Sequence, residues 1–256
     1  MMGVVMLATG CSTDAVHRLM RHDAAKLTEF LPENERLVRR ADTFPFHYSW
    51  MDTNAVLSAE FKNVYIAPFD VSYLRKGNGY DSLRNKVAGL DDAISELGDF
   101  GRKALVREFD RRSQETELKV VDDPEMPNTM ILEFAITAFV PTRAEIEVIG
   151  TVGSFFCPIP GVGFVADCLS AGSIAIECRA RDSRTKEIVA MFADAEGEPS
   201  ALLQFSKYTY TSSAKINLKQ IAKQTVECCI VEDASQLRRV FPFKFIALPW
   251  DSSLND

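Results

Sequence analysis

The residues of this 256-residue chain best suited to metal or nucleophilic chemistry are three histidines and six cysteines. His17, His22 and His47 all lie near the start, and Cys11, Cys157, Cys168, Cys178, Cys228 and Cys229 form no C-x-x-C pair. A structural zinc site draws its ligands from short paired spacings of these residues, so none is expected here. Neither a G-x-S-x-G elbow nor an H-E-x-x-H helix occurs, which removes the commonest hydrolase signatures. Asp70, Asp91, Asp92 and Asp194 could supply paired carboxylates, but any acidic chain offers such pairs, and they read as solvated surface acids. His47, beside Tyr48 and Trp50, could contribute to a small-molecule or glycan site; the plainer reading is an aromatic cluster where a strand begins. No catalytic residue, cofactor or metal is expected.

Cys11 invites a different chemistry. The apolar run Gly3-Val4-Val5-Met6-Leu7-Ala8 ends in small residues and then the cysteine, as a processing site requires. Ala8-Thr9-Gly10-Cys11 resembles the end of a bacterial lipobox. That resemblance implies a diacylglycerol on the Cys11 thiol and a fatty acyl group, such as palmitate, on its new amino terminus. Ser12, where Asp commonly marks retention at the inner membrane, implies the outer membrane. The alternative is a buried apolar N-terminal segment with a free cysteine. Ser12-Thr13-Asp14 breaks the apolar run and favours lipidation. Such a protein faces a compartment where disulfides persist. The five other cysteines are an odd number, so at least one stays unpaired in a monomer.

The elements that must carry these residues follow from periodicity. Val16, Leu19, Met20, Leu27, Phe30 and Leu31 recur at helical spacing and predict a helix from Asp14 to about Leu31, packed on its own domain rather than on a partner or membrane. Val64, Ile66, Phe69, Val71 and Tyr73 predict a buried strand interrupted by Pro68, at an edge or bulge. Val87, Leu90, Ile94, Leu97, Phe100, Ala104, Leu105 and Phe109 predict a long helix over about Ser82 to Arg112, in which Gly98 and Gly101 each cost about 1 kcal/mol and suggest a bend. Leu118 to Val121 and Thr129 to Val140 read as strands. Ile174, Ile176, Cys178 and Ala180 alternate with Ala175, Glu177, Arg179 and Arg181. With Ile188, Ala190 and Phe192 on the return strand, they predict a hairpin with one buried and one wet face. A last helix fits Asn217 to about Val231, with Cys229 in its core stripe. The order predicts an α+β fold: a mainly antiparallel sheet with the long helix and the C-terminal helix packed on one face.

From Val148 to Ala166 there is no charge, yet Pro158 and Pro160 interrupt the stretch among several glycines. A lipid-exposed helix would lose backbone hydrogen bonds there. A packed Gly-rich crossover is the favoured reading, ahead of a membrane-dipping or oligomer-contact hairpin; Phe155, Phe156, Ile159, Val162 and Phe164 are its candidate interaction residues. Gly161-x-Gly163-x-x-Ala166 lacks the preceding strand a dinucleotide fingerprint needs. The net charge of −7 argues against general nucleic-acid binding and favours solubility over adhesion to an anionic membrane.

"VYIAPFDVSYL", the long helix, "ILEFAITAFVPT", the Gly-rich stretch and "SIAIECRARDSRTKEIVAMFAD" with a closing helix resemble the bacterial lipoprotein family called domain of unknown function 3313, over roughly Phe44 to Val231. That family carries no agreed activity and no catalytic residues. The expected organisation is a signal segment over 1–10, a helical tether over 11–42, one α+β domain over 43–232 and a tail over 233–256. The expected role is a lipid-anchored, periplasm-facing envelope protein, acting as a non-enzymatic accessory or scaffold with an envelope partner or a second copy of itself. The alternative is a small-molecule or glycan binding or processing protein.

Overall fold

The structure is a computed structural model and describes residues 27–39, 45–75, 84, 89–116, 118–139, 174–196 and 211–230. Alternating apolar residues across four long or central strands build one seven-stranded sheet. In chain order its strands are β1 (Val38–Arg39), β2 (Tyr48–Met51), β3 (Asn63–Ile66), β4 (Lys119–Val120), β5 (Thr129–Phe139), β6 (Ile174–Asp182) and β7 (Ile188–Glu196). Their spatial order is β1-β2-β7-β6-β5-β3-β4. The pairs from β1 to β5 are antiparallel, and β3 runs parallel to both β5 and β4. The helices are α1 (Thr53–Ala59), α2 (Ser72–Arg75), α3 (Leu90–Arg111), α4 (Ser113–Thr116) and α5 (Ser212–Ile230). The long α3 and the C-terminal α5 pack together and cover one face of the sheet, giving the α+β fold read from the sequence.

That face is dry. Val64 and Ile66 of β3, Leu132, Phe134 and Ile136 of β5, and Ile174, Ile176 and Cys178 of β6 meet Leu97, Leu105 and Phe109 of α3 and Leu218, Ile221 and Val226 of α5. Four phenylalanines cross it in a row: Phe46 stacks on Phe192 at 3.8 Å, Phe192 meets Phe134 edge-on at 5.7 Å, and Phe134 stacks on Phe69 at 4.9 Å. Gly101 is where α3 crosses this row. A Cβ there would lie 2.8 Å from the Phe69 ring, closer than carbon atoms pack. The glycine therefore lets the helix approach Phe69, and α3 is assigned as one helix across Gly98 and Gly101.

Several expectations shift. The strand proposed around Val64 to Tyr73 pairs regularly only over Asn63–Ile66. Pro68 supplies no N–H, and the ladder resumes at one point, where Asp70 N–H donates to Phe134 O (2.8 Å) and Asp70 O accepts from Ile136 N–H (3.0 Å). Tyr73 then falls in α2. β3 is also one strand in from the edge, which β4 occupies. On the return strand, Ala190 and Phe192 do face the helices, but Ile188 does not. A register shift between Ala180 and Arg181 sends Val189 to the helix side and Ile188 to the other. The turn between β6 and β7 is fixed by Asp182, whose Oδ1 accepts from Arg184 N–H at 2.7 Å, and by Lys186 at φ 62°.

Candidate functional site

The second face of the sheet carries the polar chemistry. The alternation that buries Ile176 and Cys178 under the helices sends Glu133, Ala135, Glu177, Arg179, Arg181, Met191 and Ala193 to the opposite side. Register places Glu177 between Ala135 and Ala193, and Arg179 between Glu133 and Met191. Residues Leu27 to Leu31 pack on this side, where Leu27, Phe30 and Leu31 cluster with Ala135, Met191 and Ala193.

This segment was expected to be the end of a helix. It forms a turn instead and acts as a strap. Glu177, 2% exposed, accepts from Thr28 N–H at 2.7 Å through Oε1 and from the Thr28 hydroxyl at 2.8 Å through Oε2. The Thr28 hydroxyl oxygen in turn accepts from Phe30 N–H at 3.2 Å. Arg179 Nη1 donates to Phe30 O at 2.8 Å, and its guanidinium carbon lies 4.4 Å from the centre of the Phe30 ring. Tyr73 meets the same ring edge-on at 5.6 Å. Leu31 is fully buried with Ala135, Met191 and Ala193 nearby in one cluster. The hairpin's wet face is therefore not wet: Arg179, expected to face water, is only 20% exposed. The folded body also begins before residue 43, because the strap and β1 belong to it. The rest of the proposed N-terminal helix, over 14–26, lies outside the described residues.

The two carboxylates of this face are pushed in opposite directions. Burial raises Glu177 above the usual carboxylate range, and the Thr28 hydrogen bonds only partly offset this. Burial also opposes ionisation of Glu133, but Arg179 and Arg181 outweigh it and hold Glu133 below that range. Their Nε atoms donate to Glu133 Oε2 at 2.6 and 2.7 Å. A raised and a lowered carboxyl side by side can indicate acid–base catalysis. Here Glu177 spends both oxygens on Thr28, so the arrangement clasps a chain segment.

His47 is 2% exposed and accepts from Arg39 Nε at 3.1 Å, while its ring stacks on Tyr48 at 5.0 Å. Trp50 lies under Arg36, whose guanidinium carbon is 5.0 Å from its ring centre. The histidine thus ties the end of β1 to the start of β2. The four aspartates do not gather: Asp91 and Asp92 are neighbours at the start of α3, while Asp70 lies beyond β3 and Asp194 on β7. Asp70 accepts from Ser72 N–H, Asp91 pairs with Arg84, Asp92 is exposed in the first turn of α3, and Asp194 is buried on β7 and accepts from Ala195 N–H. Asp194 thereby departs from its reading as a solvated acid. Cys178, Cys228 and Cys229 are free thiols. Burial pushes all three up, Cys229 to about 12, so they are poor nucleophiles. Cys229, expected in the core, is half-buried at its margin. Among the described residues no group of three His, Cys, Asp or Glu is placed to hold a metal, and no helix is long and apolar enough to cross a membrane. Cys11, Phe155, Phe156, Ile159, Val162 and Phe164 lie outside the described residues.

The fold and site together define an α+β protein whose sheet is covered by helices on one side and by its own N-terminal strap on the other. No family model matches the chain, and no curated protein matches it. Solved structures do: a PelC dodecamer from Paraburkholderia phytofirmans aligns with 8% identity and a TM-score of 0.33, covering 64% of this chain and 89% of that one. A point variant of the same PelC aligns with 7% identity at the same TM-score and coverage. At that score the overlap fixes neither the fold family nor the assembly of this chain.

Proposed function

We propose that this is a lipid-anchored bacterial envelope protein, held through acylated Cys11 and facing the periplasm from the outer membrane, that serves as a non-enzymatic accessory or scaffold. Its binding partner on this reading is another envelope protein or a second copy of the chain. The observation that supports it is the strap. Thr28 stands seventeen positions after Cys11, and a fully extended chain of that length spans at most roughly 60 Å. A lipid on Cys11 would therefore tether the sheet itself close to the bilayer, through a buried clasp. A tether that ends in a clasp transmits position, which suits a scaffold. Each buried methylene contributes about 0.8 kcal/mol, and two or more acyl chains make such anchoring stable. The resemblance to the lipoprotein family points the same way. His47, Asp70, Asp91 and Asp194, engaged in contacts within the fold, give the ligand-site alternative no support.

The test is replacement of Cys11 by Ser, followed by fractionation and intact mass measurement. The parent is expected in the membrane fraction with the added mass of its acyl groups, and the Ser variant in the soluble fraction. A variant as fully membrane-bound as the parent would overturn the anchor.

A further inference from the structure

One strip on the outer side of the helix layer is basic although the chain is acidic. The protein bears −7 overall, yet Lys103 and Arg107 of α3 and Lys219 and Lys223 of α5 are all exposed. The contacts between the two helices bring these four together. Lys215 pairs with Glu96 at 2.6 Å, Lys215 and Lys219 both place Nζ 5.7 Å from the centre of the Phe100 ring, and Arg112 pairs with Glu227 further along. The helices thus run parallel, in a register that sets Lys103 near Lys219 and Arg107 near Lys223. Residues 96, 100, 103 and 107 share one stripe of α3, and 215, 219 and 223 share one of α5, by helical spacing.

The charges at the two ends of this strip are neutralised and those in the middle are not. Among the described residues, Lys103, Arg107 and Lys223 make no ion pair or side-chain hydrogen bond. Asp99 and Asp110, exposed along the outer border of α3, pair with none of them. Like charges left together repel, and an acidic chain has carboxylates enough to neutralise them. The Lys219 ammonium lies over the face of the Phe100 ring, a contact that leaves its charge in place.

We propose that this two-helix strip rests on an anionic phospholipid surface and sets which side of the protein faces the membrane. The choice of a lipid surface over another polyanion rests on the anchor reading above, which brings the domain to a bilayer. Two parallel helices also present a broad side, suited to a plane of headgroups. Each cation near such a surface strengthens binding about fivefold, an effect that falls off within a Debye length of about 8–10 Å.

Vesicle co-sedimentation tests this with the full chain carrying Cys11→Ser, so that acyl chains play no part. The protein is expected to bind phosphatidylcholine vesicles containing phosphatidylglycerol and to ignore pure phosphatidylcholine, and added salt should release it. Lys219→Gln with Lys223→Gln should weaken binding about 25-fold and leave the fold intact, with at most a small drop in melting temperature from loss of the Lys219–Phe100 contact. Binding that ignores lipid charge, a double variant that binds like its parent, or retention on a sulfated polymer such as heparin without vesicle binding would each overturn the proposal. Failure of acylation at Cys11 in cells would sink the anchor reading and leave the vesicle result standing. A charge-blind vesicle result would do the reverse.

Discussion

The two faces of the sheet are held by different physics. Under α3 and α5 the contact is a continuous apolar layer, with the phenylalanine row at its centre and a glycine cut into α3 to admit Phe69. Under the strap a few directed hydrogen bonds, one cation over a ring and one buried leucine hold five residues. The first face gains its stability from area, which is non-directional and tolerant of small shifts. The second depends on particular atoms, because a buried carboxylate that loses its donors costs more than the bond contributed. The difference suggests a division of roles: the helix face maintains the fold, and the strap face fixes how the N-terminal chain leaves it.

Removing an aromatic ring should break the comparison most forcefully. Phe134 is fully buried at the middle of the row, so Phe134→Ala should cost about 3–5 kcal/mol in urea unfolding. Phe192 is only half-buried, and Phe192→Ala should cost clearly less; equal losses would contradict the assigned packing. Gly101→Ala comes next. A helix favours alanine by about 1 kcal/mol, but the clash with Phe69 should reverse the sign and cost about 1–3 kcal/mol. Adding Phe69→Leu should recover part of that loss.

On the strap face, Glu177→Ala should cost about 1–3 kcal/mol, because Thr28 keeps donors with no acceptor. Glu177→Gln keeps an acceptor for the Thr28 N–H and offers an N–H to its hydroxyl oxygen, so it should stay within about 1 kcal/mol of the parent.

The smallest effect, and the most discriminating, is in pH. Glu177 is raised in the fold, so its contribution is fully present below the ordinary carboxylate range and is lost as pH rises through the raised value. Glu133 is lowered, so its contribution is present above that range and is lost as pH falls through the lowered value. Melting curves from about pH 3 to about pH 8 should therefore show Glu177→Gln relieving a loss on the neutral side. Glu133→Gln should remove a loss on the acid side. The same displacement from both variants would show that one environment governs both groups.

How far the sequence revealed this divides along the same line. The helix face was legible because period-2 runs such as Ile174 to Arg181 and the 3.6-period stripes of α3 and α5 declare themselves without knowing their partners. The strap was not. Leu27, Phe30 and Leu31 extend a helical stripe, and their turn is imposed by Glu177, 149 residues away. Glu177 and Arg179 read as solvated because a strand with charges on one face ordinarily faces water; the covering segment has no local signature. A Glu flanked across the sheet by two alanines is the signal that was available, once register was known. Gly101 reads in the sequence as a cost and a bend because its reason, the Phe69 ring, comes from a loop beyond β3. Ile188 was misplaced by a register shift that alternation cannot foresee.

The account rests most directly on the clasp between Glu177 and Thr28. Native-state hydrogen exchange of the Thr28 amide in the parent and in Glu177→Ala tests it. The account predicts a protected amide in the parent, and in the variant an amide that exchanges much faster while core amides of β5 and β6 stay protected. A Thr28 amide that already exchanges at the unprotected rate in the parent, or that is equally protected without the carboxylate, would contradict it.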